Sequence, residues 1–197
     1  GNILKWFRNE FGSLEMEEAK RTGTDPCDLI FSEMALNPSG LMVLPYFTPS
    51  GTPYFDTGTK GAILGLRLST KRGEFIRALI EGVALEMRLN LEILESSGIH
   101  IDILRVVGGG AKSDLLSQLK ADVTGKKVII PDVSETGCLG AAMLACSAHS
   151  GEPVSGLASR WVKITNEIEP DDAFSTIYTE KFGKYKELYH KIRDIDL

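Results

Sequence analysis

Residues 103 to 125 read ILRVVGGGAKSDLLSQLKADVTG, and this stretch suggests both the fold class and a first hypothesis about function. The apolar residues 103 to 107 predict a strand, three glycines then predict a tight turn, and Ser113 predicts the start of a helix over residues 113 to 123. Because glycine has no Cβ, an anion or a nucleotide can come close to its backbone. The free N–H groups and the dipole of the helix then favour its negative charge, so the pattern indicates a nucleotide site.

The same glycines allow two other interpretations. A tight connection between a strand and a helix needs one or two glycines by itself, without any ligand. A dinucleotide-binding Rossmann unit would have a third glycine where Ser113 stands, and an acidic residue after the next strand, where Asp132 stands. The late position of the turn and Pro131 before Asp132 weigh against NAD, which stays an alternative. A Walker P-loop is excluded, because no Gly-Lys-Ser/Thr follows the glycines at the required distance.

Strand and helix patterns alternate around this stretch. The predicted elements are a strand over residues 61–68, a long helix over 74–97, a strand over 127–130 and an alanine-rich helix over 137–148. Shorter helices are predicted over residues 3–11 and 25–34, and a last helix over 171–195. That last helix carries aromatic residues at helical spacing, which predict a buried face: Tyr178, Phe182, Tyr185 and Tyr189. The alternation is typical of an α/β fold with a parallel sheet.

Composition excludes several classes of protein. Of the 197 residues, 43% are hydrophobic and 25% are charged, as in an ordinary globular protein rather than a disordered one. The net charge of −5 disfavours nucleic-acid binding, which needs an excess of Lys and Arg. Apolar stretches are far shorter than the ~20 residues of a membrane span. The three cysteines have no CxxC spacing, so neither a disulfide framework nor a zinc site is predicted, and we expect a cytoplasmic protein with reduced thiols.

Other polar residues give weaker predictions. Asp56 lies in a loop rich in Gly and Pro over residues 48–60, where we expect it to face an interdomain cleft and contact a substrate. Asp114 and Asp122 are expected at a helix N-terminus or in solvent. The three histidines are far apart in sequence and have no metal-ligand spacing, so no metal site is predicted from them.

Residues 108 to 145, from GGGAKS to GAAMLA, resemble the carboxy-terminal domain of the FGGY carbohydrate kinases. GAILGL at residues 61–66 and EFIRALIE at 74–81 are similar to that family's second signature. LPYF at residues 44–47 and TPYFDTGTKG at 52–61 resemble a loop of its xylulokinase-like members. The resemblance covers about residues 1 to 190, and its two motifs stand in the family's order.

The resemblance implies the second lobe of the actin/hexokinase/Hsp70-type (ribonuclease H-like) ATPase fold. Residues 1–197 would form one such domain: a helical segment and cleft loop over 1–60, a nucleotide-binding core over 61–150, and a connector and final helix over 151–197. The predicted nucleotide-binding residues are then Gly108, Gly109, Gly110, Ala111 and Ser113, which would line the α-phosphate and ribose of ATP and lie near its adenine. Glu81 and Gly82 would support this nucleotide loop, and the small residues Gly140, Ala141 and Ala142 would pack on the sheet.

Departures from the family pattern limit what this chain is expected to do alone. The family's first phosphate loop, its aspartate general base and the hairpin that opens its second domain are not found in this sequence. We therefore expect a second lobe that lacks its first strands, contains no catalytic residue, and is inactive by itself. Ser50-Gly51 precede Thr52-Pro53 where xylulokinases usually have Glu-Arg, which weighs against xylulose as the substrate.

The expected function is ATP-dependent phosphorylation of a sugar or polyol, with Mg²⁺ bridging the phosphates of ATP. The sugar would bind mainly to an amino-terminal lobe, and an unpaired sheet edge in this chain would favour a homodimer. Two alternatives remain at this point: a Rossmann-type NAD-binding protein, and a lobe that only mediates dimerisation or regulation.

Overall fold

The long helix and the glycine turn lie in two different units of the computed structural model, which describes residues 2–111, 113–133, 135–193 and 195. The first unit comprises Gly1–Gly98 with Thr176–Leu197, and the second comprises Ile99–Ser175. The sequence placed residues 61–150 in one core. In the structure residues 61–98 belong with the amino-terminal segment instead, because the long helix packs against the first helix and the first strand.

Three helices and a strand pair begin the first unit. They are α1 (Asn2–Phe11), α2 (Ser13–Thr22), α3 (Pro26–Ser32) and the antiparallel strands β1 (Met42–Leu44) and β2 (Ala62–Leu64). Helix α2 was not predicted, because its sequence is mostly polar and charged and lacks an apolar stripe. The strand predicted over residues 61–68 is shorter, since Gly65 has a φ of +90° and turns the chain out of the extended conformation.

The long helix α4 (Arg72–Ser96) confirms the prediction over residues 74–97. Its first half is buried on more than one side, as the fully buried Leu79 and Leu85 show. Val83, on the same helix, is 43% exposed, so α4 is not buried on every side.

The second unit is built on a three-stranded sheet. Its elements are β3 (Ile103–Arg105), α5 (Asp114–Thr124), β4 (Lys127–Pro131), α6 (Thr136–Ser150), α7 (Val154–Trp161) and β5 (Ile164–Ile168). The strand order is β3-β4-β5; β3 and β4 are parallel, as predicted, but β5 is antiparallel to β4. Neither α7 nor β5 was predicted. The sequence of β5, ITNEI, gives a weak strand signal because its three central residues are polar. Four of its five residues are exposed in the structure.

Helix α6 confirms the alanine-rich helix predicted over residues 137–148, but its small residues do not form a packed face. Met143 is buried, whereas Ala141 and Ala142 are exposed. A Cβ placed on Gly140 would meet no atom within 4 Å. The interpretation of these three small residues as core packing is therefore wrong.

The last helix, α8 (Asp172–Ile192), begins in the second unit and ends in the first. Asp122 is 1% exposed, and its carboxylate accepts a hydrogen bond from the Asp171 backbone N–H at 2.8 Å. It therefore lies at the N-terminus of α8 and holds the start of that helix, whereas the solvent-exposed position that the sequence also allowed is wrong. The four aromatic residues predicted as the buried face of this helix are all buried: Tyr178, Phe182, Tyr185 and Tyr189.

A fully buried carboxylate, that of Glu81 on α4, joins three segments of the first unit. Its Oε1 accepts hydrogen bonds from the backbone N–H of Ser39 at 3.0 Å, from Arg77 Nε at 2.9 Å and from the Tyr178 hydroxyl at 2.7 Å. Its Oε2 accepts one from Lys181 Nζ at 2.5 Å. These partners all lie in the first unit. The glycine turn, which the resemblance implied that Glu81 would support, lies in the second unit.

Two further residues of α4 hold the chain around β1. Arg77 is 2% exposed and donates to the backbone carbonyls of Ala35 at 2.9 Å and Leu36 at 2.8 Å. Gly82 lets α4 approach the strand closely, because a Cβ there would lie only 2.7 Å from the Val43 carbonyl oxygen. The first turns of α4 are thus fixed to β1 and to the loop before it.

The carboxylate of Glu86, also on α4, has hydrogen-bond partners on only one of its two oxygens among the described residues. Its Oε2 accepts hydrogen bonds from the hydroxyls of Tyr46 at 2.9 Å and Tyr185 at 2.6 Å. Its Oε1 is buried and has no hydrogen-bond partner among the residues that the structure describes. Burial raises the pKa of the Glu86 carboxyl, and the hydrogen bonds from Tyr185 and Tyr46 oppose that rise.

We expect Glu81→Gln to lower the free energy of unfolding by about 3 kcal/mol or more, because it leaves two buried cations facing a neutral amide. The matched control is Glu92→Gln, which removes an exposed ion pair with Lys186 between the same two helices and should cost at most about 1 kcal/mol. Urea unfolding of the two variants measures both values. Equal losses would contradict the role assigned to Glu81.

The raised pKa of Glu86 has a consequence for stability. The folded state holds the proton more tightly than the unfolded state, so the contribution of this group is greatest at low pH and is lost as pH rises through the folded-state pKa. Glu86→Gln should therefore become more stable relative to the wild type between pH 5 and pH 8, as measured by urea unfolding. Glu180→Gln, an exposed carboxylate on α8, is the control and should show a smaller change with pH.

Candidate functional site

The predicted nucleotide residues lie together in the connection between β3 and α5. Residues Gly108–Ala111 form a single 3₁₀ turn, and Ser113 is the N-cap of α5, its Oγ accepting a hydrogen bond from the Leu116 N–H at 3.4 Å. Gly108 has a φ of +73°, a conformation that residues with a Cβ rarely adopt. Lys112, between the turn and the cap, lies outside the described residues. A strand, a glycine turn and a capped helix therefore follow one another as predicted.

The charges near the turn are not uniformly suited to an anion. Asp114 is in the first turn of α5, where its carboxylate is favoured by the helix dipole, as predicted. That carboxylate also accepts a hydrogen bond from Asn166 Nδ2 at 3.2 Å. Because it adds a negative charge beside the free N–H groups, the start of α5 suits an uncharged part of a nucleotide better than a phosphate.

The residues that would define a Rossmann site are placed differently from that fold. Asp132 follows β4 and is exposed, and its backbone N–H donates to the Lys163 carbonyl at 2.8 Å. The strand on that side of β4 is the antiparallel β5, whereas a dinucleotide-binding unit continues with parallel strands. This arrangement disfavours the NAD alternative.

Asp56 lies in the first unit, in a loop packed against the end of α8. Its Oδ2 accepts a hydrogen bond from the Tyr189 hydroxyl at 2.7 Å, and its Oδ1 accepts one from the Gly58 N–H at 2.8 Å. These two hydrogen bonds lower the pKa of the Asp56 carboxyl. The loop is closed by Ser50, whose N–H donates to the Asp56 carbonyl at 3.1 Å. Asp56 borders a cavity of about 280 Å³, and its contact with a substrate stays a prediction.

Within the residues that the structure describes, no three His, Cys, Asp or Glu side chains are grouped so that they could hold a metal ion. His100 is exposed and pairs with Asp102 at 2.9 Å, in agreement with a surface position. Among the described helices none is both long and apolar enough to cross a membrane.

Sequence reasoning missed the polar groups around Glu86 and around Asp56. An acidic residue on a long helix rich in apolar residues was a usable signal for Glu86. The pairing of Asp56 with Tyr189 had no such signal, because the two residues are 133 positions apart in the chain.

Comparisons with known proteins place the chain in a family. Residues 1–149 match the family model described as "FGGY family of carbohydrate kinases, C-terminal domain". A glycerol kinase of Shewanella frigidimarina is 36% identical over 171 residues, which cover 86% of this chain and 30% of that protein. A gluconokinase of Bacillus licheniformis is 34% identical over 182 residues, which cover 90% of this chain and 36% of that protein.

Solved structures agree with the sequence comparisons. A Brucella ovis structure described as a xyloylose kinase matches with a TM-score of 0.82 and 27% identity, over 99% of this chain and 38% of that one. A Plasmodium falciparum glycerol kinase with ADP matches with a TM-score of 0.74 and 23% identity, over 98% of this chain and 37% of that one, and this match supports the fold alone. The predicted α/β fold of the actin/hexokinase type is thereby confirmed.

The chain spans about a third of the length of the curated relatives it matches, and the family model that it matches is that of the carboxy-terminal domain. With a family match over 149 residues and relatives above 30% identity, the chain belongs to the FGGY family of carbohydrate kinases.

Proposed function

We propose that this chain is the nucleotide-binding part of an ATP-dependent kinase that phosphorylates a sugar or polyol. The observation that carries the proposal is the strand, glycine turn and capped helix over residues 103–124, present in a chain of this kinase family. The names of the relatives, glycerol kinase and gluconokinase, support a polyhydroxylated substrate. These names specify different substrates, so the proposal names the class of sugars and polyols and no single substrate.

The proposed contacts to ATP come from Gly108, Gly109, Gly110, Ala111 and Ser113. The Oγ of Ser113 already accepts a hydrogen bond from Leu116, so its hydroxyl proton remains able to donate to a ligand. The negative charge of Asp114 at the same helix end favours ribose or adenine here and the phosphates farther along the turn. A nucleotide bound in this orientation would present its terminal phosphate away from α5.

Mg²⁺ does not fit a site made by the described residues themselves, since they contain no group of three suitable ligands. A magnesium ion is commonly held by one or two carboxylates together with the phosphates of the nucleotide. We infer that Mg²⁺ would enter with ATP, and we assign no residue of this chain to it.

None of the described residues is proposed as catalytic. Phosphoryl transfer depends on positioning and on charge stabilisation, and a general base on the acceptor hydroxyl contributes typically ~10²–10⁴-fold. We propose that the base and the remaining phosphate contacts come from the part of the enzyme corresponding to the other two thirds of the relatives. We further propose that the enzyme acts in the cytoplasm.

A second candidate function, association through the sheet edge, has one observation in its favour. β3 is at the edge of the three-stranded sheet formed by the described residues, and its Ile103 is 49% exposed. An edge strand with an exposed apolar side chain can pair with another strand. Homodimerisation, or pairing with another part of the enzyme, would cover this edge.

Gly109→Val tests the nucleotide site. The added side chain would occupy the space that the ligand needs beside the backbone, so we expect ADP binding to weaken at least ~10-fold while the helical circular dichroism signal is unchanged. The control is Gly140→Val in the same unit, where a Cβ would meet no atom within 4 Å. Calorimetric titrations with ADP and with NAD measure the effect. Unchanged ADP affinity in folded Gly109→Val would remove these residues from the site.

Activity of the 197-residue chain alone provides a second test. We expect no release of ADP that depends on glycerol, gluconate, xylulose or other sugars and polyols, because no general base is assigned to this chain. Fusion to the amino-terminal part of the Shewanella frigidimarina glycerol kinase should restore glycerol-dependent ADP release, measured by a coupled assay. Turnover by the chain alone would show that its own residues carry the chemistry.

A further inference from the structure

Helix α1, the loop after β2 and the start of α4 border a groove of about 410 Å³ in the first unit. The apolar residues of its lining are Phe7, Phe11, Leu66 and Phe75. Phe7 is buried, whereas Phe11 is 54% exposed and Leu66 is 57% exposed, so the groove is open to solvent. Small-molecule sites usually bury ~70–90% of the surface of their ligand, and an open apolar groove is more typical of a surface that another protein covers.

The loop beside the groove holds an apolar side chain out in solvent. The Arg67 N–H donates to the Thr70 hydroxyl at 3.0 Å, and the Thr70 N–H donates to the Arg67 carbonyl at 2.9 Å. These two hydrogen bonds close a turn that contains Leu68, whose side chain is fully exposed. Burying a leucine is favourable, and an ordered turn loses little conformational entropy when a partner covers it. The groove and the leucine beside it therefore offer a partner both a concave and a convex apolar surface.

Three cations line the groove, and two of them have no counterion in the described part of the chain. Arg72 forms ion pairs with Glu15 at 2.8 Å and with Glu33. The side chains of Arg67 and Lys71 are exposed and form no ion pair or hydrogen bond with any residue that the structure describes. Unpaired cations around an apolar surface favour a partner that carries carboxylates.

The elements that border the groove indicate how a partner would bind. The lining includes residues of α1, of the loop and of α4, and none of β1 or β2. It therefore offers side chains rather than the free N–H and C=O groups to which an extended peptide adds as a strand. An amphipathic helix instead inserts apolar side chains at positions i, i+3, i+4 and i+7 into such a groove. A lipid surface has no projecting side chain to fill a concave site, and the net charge of −5 opposes binding to an anionic membrane.

We propose that this groove binds an acidic amphipathic helix of a partner protein. The apolar face of that helix covers Phe11, Leu66 and Leu68, and its carboxylates pair with Arg67 and Lys71. All five residues belong to the first unit, whereas the proposed nucleotide residues belong to the second, so the two sites can be tested separately.

The probe is a synthetic peptide of about 16 residues, with Leu and Phe along one helical face and Glu at the other positions. We expect it to bind the 197-residue chain saturably, with a Kd of about 100 μM or below by fluorescence anisotropy of the labelled peptide. One comparison peptide has Lys in place of each Glu, and another has the same composition but no shared apolar face. Both should bind at least ~10-fold more weakly, because the first repels the two cations and the second cannot fill the groove.

Substitutions in the chain test the same contacts from the other side. The double variant Arg67→Gln/Lys71→Gln should weaken binding of the acidic peptide ~10-fold, whereas Lys184→Gln, an exposed cation on α8, should not. Leu68→Ser should also weaken it ~10-fold, because it removes apolar surface that the peptide buries. Leu36→Ser is the matched control, since Leu36 is an exposed leucine outside the lining of the groove. Circular dichroism and urea unfolding confirm that each variant is folded, as expected for exposed positions.

The proposal is overturned by an absence of saturable peptide binding, or by equal affinity in the wild type and in the Arg67→Gln/Lys71→Gln variant. It is also overturned if Leu68→Ser abolishes dimerisation of the chain in sedimentation equilibrium, since a second copy would then cover the groove. Binding to phosphatidylglycerol vesicles that is lost in Leu68→Ser would assign the surface to a membrane and overturn it as well. Gly109→Val should bind the acidic peptide like the wild type, so a loss of ADP binding leaves this test intact.

Discussion

The buried carboxylate of Glu81 is the interaction on which the first unit depends. It accepts hydrogen bonds from groups 42, 97 and 100 positions away in the chain, at Ser39, Tyr178 and Lys181. An ion removed from water without partners costs several kcal/mol, so all of these segments must be in place together. The carboxylate of Glu81 on α4 thus joins the loop at Ser39 to the last helix, α8.

The docking of α8 at Glu81 also determines what lies farther along that helix. Once Tyr178 and Lys181 are fixed, the helical repeat brings Tyr185 to Glu86 and Tyr189 to Asp56. The fully buried carboxylate of Glu81 and the partly buried carboxylate of Glu86 differ in their partners. Glu81 faces a guanidinium and an ammonium, whereas Glu86 faces two neutral hydroxyls, and burial therefore raises the pKa of Glu86.

The two candidate ligand sites are built in contrasting ways. The glycine turn consists of residues contiguous in sequence, and its shape follows from backbone freedom at Gly108 and from the cap at Ser113. The cavity beside Asp56 is made from a loop and a helix end more than 120 residues apart, and it exists only because α8 is docked. Local conformational preference explains the first site, and long-range packing explains the second.

The sequence by itself determined the family, the α/β class, helix α4, the glycine turn and the buried aromatic face of α8. The family was indicated by motifs that resemble it, and the other features depend on short-range spacing of apolar residues and glycines, which acts within a few turns of chain. Only the tertiary structure decided the antiparallel β5, the exposure of Ala141 and Ala142, and the partners of Glu81 and Asp56. Those features depend on which distant segments meet, and a polar side chain carries no local mark of the partner that will satisfy its hydrogen bonds.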